Sequence, residues 1–109
     1  MTSSEQSWKI LSNHGMVLFY IAAHPKTTQR AIAAALGITE RQVANIVKDL
    51  AHANLIEIMR EGRSNRYIVN QDEHFRHPLM AHIPLRDVFE VVLPKVAPEA
   101  TGEKSTSED

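Results

Sequence analysis

Arg41, Gln42, Asn45 and Lys48 lie close together in one stretch of this 109-residue chain. Their side chains are the types that reach base edges or phosphates. A guanidinium can pair with guanine, a carboxamide with adenine, and an ammonium with the backbone. A second group follows at Arg60, Arg63, Ser64, Asn65 and Arg66, where three guanidiniums crowd a short segment suited to a minor groove or to phosphates. A third group, Thr27, Thr28, Gln29 and Arg30, stands where a helix begins, and exposed N–H groups there hold anions well. The rest of the polar inventory points to no catalysis. Ser12 with His14 lacks a positioned third partner, the four glycines form no phosphate loop, and no paired carboxylates occupy a plausible cleft. An enzyme is not expected, and no cofactor is implied. His74 and His77 could meet if their segment were helical, with His82 nearby. There is no carboxylate–histidine signature and no cysteine ligand, so no metal is assigned.

The elements that must position these groups follow from the spacing of apolar residues. Val43, Ile46, Val47 and Leu50 recur at i, i+3, i+4 and i+7, one face of a helix over 39–54. Thr39 and Gln42 have the spacing of a capping box, which competes for the Gln42 side chain. Asn54 suits the left-handed residue that often ends a helix. Upstream, Gln29 to Leu36 predicts a helix capped by Thr28 and closed by Gly37, with Leu36 and Ile38 wedged between the pair. Two helices joined by a short Gly-containing turn form a helix-turn-helix. Downstream the period changes from 3.6 to 2. Residues 55–60 and 66–69 read as strands around a basic tip at 61–65, a hairpin in the position of a wing.

Flanking elements complete the plan. Trp8, Ile10 and Leu11 form an apolar patch expected to dock on the core. Ser12 or Asn13 caps a helix to about Ala23 that is apolar nearly all round, more than one small core requires. The excess predicts contact with a second subunit or with a C-terminal helix. That helix is expected over 85–93, opened by Pro84 and stopped by Pro94, with Leu85, Val88, Phe89 and Val92 on one face. Residues 71–82 carry no clear period, and 94–109 has the composition of a disordered tail.

Composition bounds the function further. Net charge is −1, but residues 26–70 carry seven Lys and Arg against four Asp and Glu, and residues 71–109 carry four against eight. The local field over the donor groups is therefore positive. The absence of cysteine excludes thiol chemistry and fits a cytoplasmic setting. The longest apolar run, residues 16–23, is far short of the roughly 20 residues of a membrane span, and no secretory signal is visible.

Several runs together resemble a known family: Asn13-His14, Ile38-Thr39-Glu40-Arg41, Ile46-Val47-x-Asp49-Leu50, Arg60-Glu61-Gly62-Arg63-x-Asn65-x-Tyr67 and Arg76-His77-Pro78-Leu79. They resemble short winged-helix transcriptional regulators of the broad MarR/ArsR type, over roughly residues 8–93. One departure is Asn54, where such chains commonly carry Gly. The resemblance implies a DNA-binding regulator, usually a homodimer. The expected fold is α+β and mainly helical, a winged helix-turn-helix with a two-stranded β-hairpin wing and a C-terminal dimerisation helix. Its expected divisions are a flexible N-terminus (1–7), the DNA-binding domain (8–70), an extension with the dimerisation helix (71–93) and a tail (94–109).

The expected partner is double-stranded DNA. Its contacts are Thr27, Thr28, Gln29, Arg30, Thr39, Arg41, Gln42, Asn45, Lys48, Arg60, Arg63, Ser64, Asn65 and Arg66. The expected homodimer interface is Trp8, Met16, Phe19, Tyr20, Leu85, Val88, Phe89 and Val92. Two alternatives stay open: a winged helix that binds another protein, and an effector or metal sensor built on residues 74–82. No small-molecule effector is identified by the sequence.

Overall fold

The computed structural model describes residues 10–62 and 64–98. Trp8, Arg63, residues 1–7 and the tail beyond 98 lie outside the described residues. Three helices come first: α1 (Asn13–Ala23), α2 (Gln29–Leu36) and α3 (Glu40–His52). Each starts where a hydroxyl side chain accepts a bond from a backbone N–H of the first turn. Ser12 accepts from Gly15, Thr28 from Ala31 and Thr39 from Gln42. Gly37, with φ of 72°, closes α2, a conformation that costs glycine little.

The end of α3 is a Schellman motif. The Leu55 N–H donates to the Leu50 carbonyl and the Asn54 N–H to that of Ala51, with Asn54 at φ 67°. Asparagine does here what glycine would do, and it adds a bond that glycine lacks. Its Nδ2 donates to the Glu73 carboxylate at 3.2 Å.

Strands β1 (Ile56–Glu61) and β2 (Ser64–Val69) pair antiparallel from Ile56 opposite Val69 to Glu61 opposite Ser64. The strands extend to Glu61 and from Ser64, closer together than the five-residue tip expected. Gly62 has φ of 61°, the positive value that two-residue hairpin loops need at their first position. The base of the hairpin is tied down by Ile56 and Tyr67, both buried, and by the Tyr67 N–H, which donates to the Pro25 carbonyl at 2.9 Å.

After Asn70 the chain loops out and returns. His74 forms an isolated bridge with Pro84, and the Leu85 N–H donates to the Glu73 carbonyl at 2.8 Å. Arg76 donates to the Ala53 carbonyl and pairs with Glu73 at 3.4 Å, so this segment seals the end of α3. Arg76 also lines a cavity with His14, Gly15 and Leu18 of α1, whereas Leu79 is exposed. Helix α4 (Leu85–Val92) runs into a 3-10 turn (Leu93–Lys95). Arg86 bonds to Asp72, and that hydrogen bond, with the carboxylate's charge, raises its pKa above the ordinary guanidinium value. The expected tail begins later than Pro94, because residues 93–95 are helical and the Ala97 carbonyl is 3.0 Å from His24 Nε2.

The core gathers Val17, Leu18 and Ile21 of α1, Ile32 and Ala33 of α2, and Val43, Ile46, Val47 and Leu50 of α3. Ile56, Tyr67, Leu85 and Phe89 complete it. Helix α1 is apolar on most sides because α2, α3, β2 and the 3-10 turn all pack on it. Phe19 meets Phe89 edge to face at 5.3 Å. Two expected interface residues are thereby corrected: Leu85 and Phe89 are 3% and 2% exposed and serve the protomer's own core. The excess apolar surface of α1 is met by the C-terminal helix of the same chain. Ile10, expected to dock, is 91% exposed.

Candidate nucleic-acid interface

Helix α3 buries one stripe completely, and the stripe opposite carries the donors. Arg41, Asn45 and Lys48 are exposed at i, i+4 and i+7, on one side of the helix. None of these side chains makes a hydrogen bond or ion pair with another described residue. His52 continues the stripe at i+11 and is exposed as well. No local motif marks His52, but the 41–45–48–52 spacing places it on the same stripe.

Gln42 is differently employed. Its side-chain oxygen accepts from the Thr39 N–H at 2.9 Å and from the Thr39 hydroxyl at 3.2 Å. Reading adenine bidentately takes both the oxygen and the amide group of a glutamine. While the capping box holds, Gln42 has only its NH₂ to offer, and Thr39 is likewise committed to the cap.

At the start of α2, Thr28 accepts from the Ala31 N–H at 3.0 Å, with Thr28 exposed and Gln29 half-buried. Arg30 is exposed and sits 3.4 Å from Glu40, an ion pair between the two helix starts. Pairs this exposed add at most about 1 kcal/mol, so a phosphate can displace the carboxylate. Thr27 is corrected: in the α1–α2 connection it is only 3% exposed, and its side chain is not available to a duplex.

The wing does not gather its guanidiniums on one side. Directly opposed residues of an antiparallel pair share a face, and faces alternate along each strand. Arg60 therefore shares a face with Asn65 and Tyr67, whereas Arg66 shares the other with Met59, Glu61 and Ser64. Arg60 Nε donates to the Gly62 carbonyl at 3.0 Å, which folds it back along the tip. Arg66 is 3.6 Å from Glu61. Ser64 is exposed and Asn65 half-buried.

The histidine segment is not helical. His74 Nδ1 is 2.8 Å from the Ala81 carbonyl, and His77 Nδ1 accepts from the Leu79 N–H at 3.1 Å, so both rings shape local turns. Among the described residues, no group of three or more His, Asp and Glu side chains is placed to hold a metal ion. No helix of the described residues is long and apolar enough to cross a membrane.

A capped helix-turn-helix followed by a two-stranded hairpin, with an unpaired donor stripe on the second helix, defines a winged-helix DNA-binding protein. The MarR family model matches residues 10–66, just over half of the chain, from α1 to the middle of β2. The chain belongs to the MarR family of DNA-binding transcriptional regulators. A search of curated proteins and of solved structures gave no significant match. Helix α4 lies beyond the matched residues.

Proposed function

We propose that this regulator binds duplex DNA as a symmetric dimer, with α3 of each protomer in a major groove and each wing beside it. The observation that carries this reading is the exposed, unpartnered row of Arg41, Asn45 and Lys48 opposite the fully buried stripe of α3. Arg41 and Asn45 lie in the first two turns, from which base edges are usually reached; Arg41 suits guanine and Asn45 suits adenine. Lys48, Arg30 and the α2 N-terminus around Thr28 and Gln29 suit phosphates. Arg60, Arg63 and Arg66 suit the flanking backbone or minor groove, with Ser64 and Asn65 beside them. With Leu85 and Phe89 inside the core, a dimer contact falls to Val88, Val92 and the 63%-exposed Val91 of α4, and separately to the half-buried Met16 and Tyr20 of α1. No small-molecule effector is assigned.

Selection of bound sequences from random DNA tests both parts. The expected motif is two-fold symmetric, with half-sites about one helical turn apart. Asn45→Ala is expected to relax preference at one base pair per half-site, by about 1–3 kcal/mol. Absence of any enriched motif, or a motif unchanged by both Arg41→Ala and Asn45→Ala, overturns the reading. A second reading, a winged helix that meets a protein, draws on Ile58, Met59 and Ile68, which are 42%, 46% and 40% exposed on the wing. It expects partner binding that survives both α3 substitutions and fails on Met59→Glu.

A further inference from the structure

Beside the donor stripe of α3 lies a carboxylate that a polyanion should repel. Asp49 is one turn beyond Asn45 and two beyond Gln42, on the flank of the helix that faces the first turn of α1. There His14 Nε2 stands 2.9 Å from Asp49 Oδ2, with both side chains at least half exposed. Asn13, His14, Gln42, Asn45, Ile46 and Asp49 line one shallow cleft of about 280 Å³, open to solvent on the same flank as the proposed reading face.

We propose that His14 is part of the DNA interface and couples it to protons: charged, its imidazole neutralises Asp49, and neutral, it leaves that carboxylate facing the duplex. This rests on the DNA-binding reading above and adds a residue and a regulatory input to it. The physical argument is one of sign. A duplex presents about one negative charge per 1.7 Å of axis, so a bare carboxylate at its edge opposes binding and an imidazolium favours it. Imidazole is the side chain whose charge changes in the physiological range.

The surroundings make Asp49 the dominant neighbour. The first turn of α1 has no acidic residue. From α3 the facing groups are Asp49 and the neutral Gln42 and Asn45. From the segment after the wing, His74 and Arg76 line the adjoining cavity with His14. Arg76 is itself engaged by Glu73 and by the Ala53 carbonyl, which offsets its charge locally.

Affinity of the full chain for a selected duplex, measured at constant ionic strength from about pH 6 to about pH 8, tests the coupling. Wild-type binding is expected to weaken by about tenfold across that range, within the limit of tenfold per pH unit for one linked proton. His14→Gln is expected to flatten the profile to about twofold or less, because its amide cannot take a proton. Asp49→Asn is expected to tighten binding several-fold at both ends of the range, because the duplex loses one repelling charge in either state of the imidazole. A thermal melt of each variant checks that it is folded, and should His14→Gln fail to fold, Asp49→Asn alone decides. A pH slope that persists in His14→Gln, as it would if His52 carried it, overturns the inference. So does binding left unchanged by Asp49→Asn at both ends of the range, or wild-type affinity independent of pH. In each of those cases DNA binding itself stands, whereas failure to bind DNA at any pH removes both.

Discussion

Helix α3 and the hairpin both carry cationic and amide groups outward, yet they are held in opposite ways. Four residues of α3 are buried along its length, its start is locked by a reciprocal capping box and its end by a Schellman motif sealed by Asn54, Glu73 and Arg76. Among the described residues the hairpin is fastened at its base, by Ile56, Tyr67 and one backbone bond to Pro25, whereas Arg60, Glu61, Gly62 and Ser64 towards its tip are exposed. A helix fixed along its whole inner side presents Arg41 and Asn45 at set spacings, as the proposed base reading demands. In the same proposal, a hairpin anchored at one end settles Arg60 and Arg66 against whichever phosphates it meets. Rigid anchoring suits specificity, and looser anchoring suits affinity.

The largest effect that would sharpen this contrast comes from the wing's anchor. Tyr67→Ala removes a fully buried aromatic, and such truncations cost about 3–5 kcal/mol. Chemical denaturation should show most of a small domain's stability lost. A cost under about 1 kcal/mol would mean that the hairpin base is not tied into the core as described. Next in size is Thr39→Ala, expected to cost about 1 kcal/mol by removing the cap of α3 and releasing Gln42. A melting temperature unchanged by that substitution would show that α3 owes nothing to its capping box. Smallest in stability, within a few tenths of a kcal/mol, is Arg66→Ala, because its exposed pair with Glu61 contributes little. In DNA titrations the same change should lower the log–log salt slope by about 1 and weaken all sequences alike. A shifted base preference would break the contrast, since the wing would then be reading sequence.

Much of this was legible without coordinates wherever the signal is local. The caps at Ser12, Thr28 and Thr39, the glycine stop at Gly37 and the left-handed Asn54 each depend on residues within one turn, so residue type alone places them. The apolar stripe of α3 is equally local, and it points the donors outward by geometry. The hairpin's existence was readable, but its two-residue loop was not, because strand length depends on pairing across the hairpin. Misplaced expectations share a cause. Thr27 looked like a polar helix entry, and only tertiary packing makes it buried. Leu85 and Phe89 looked like a dimer seam because a sequence shows that a face is apolar without saying which surface it meets. His14 and His52 were passed over as interface candidates for a similar reason: His14 joins α3 only through a contact 35 residues away in the chain, to Asp49.

The amino-acid order by itself determined three helices with their caps, a basic hairpin after them and a donor row opposite a greasy one, since each follows from periods and turns a few residues long. Tertiary structure alone decided how the 70–84 loop closes over the end of α3, which apolar faces the protomer consumes, and that His14 reaches Asp49. Those outcomes depend on packing between segments far apart in the chain, and no local spacing encodes such distances.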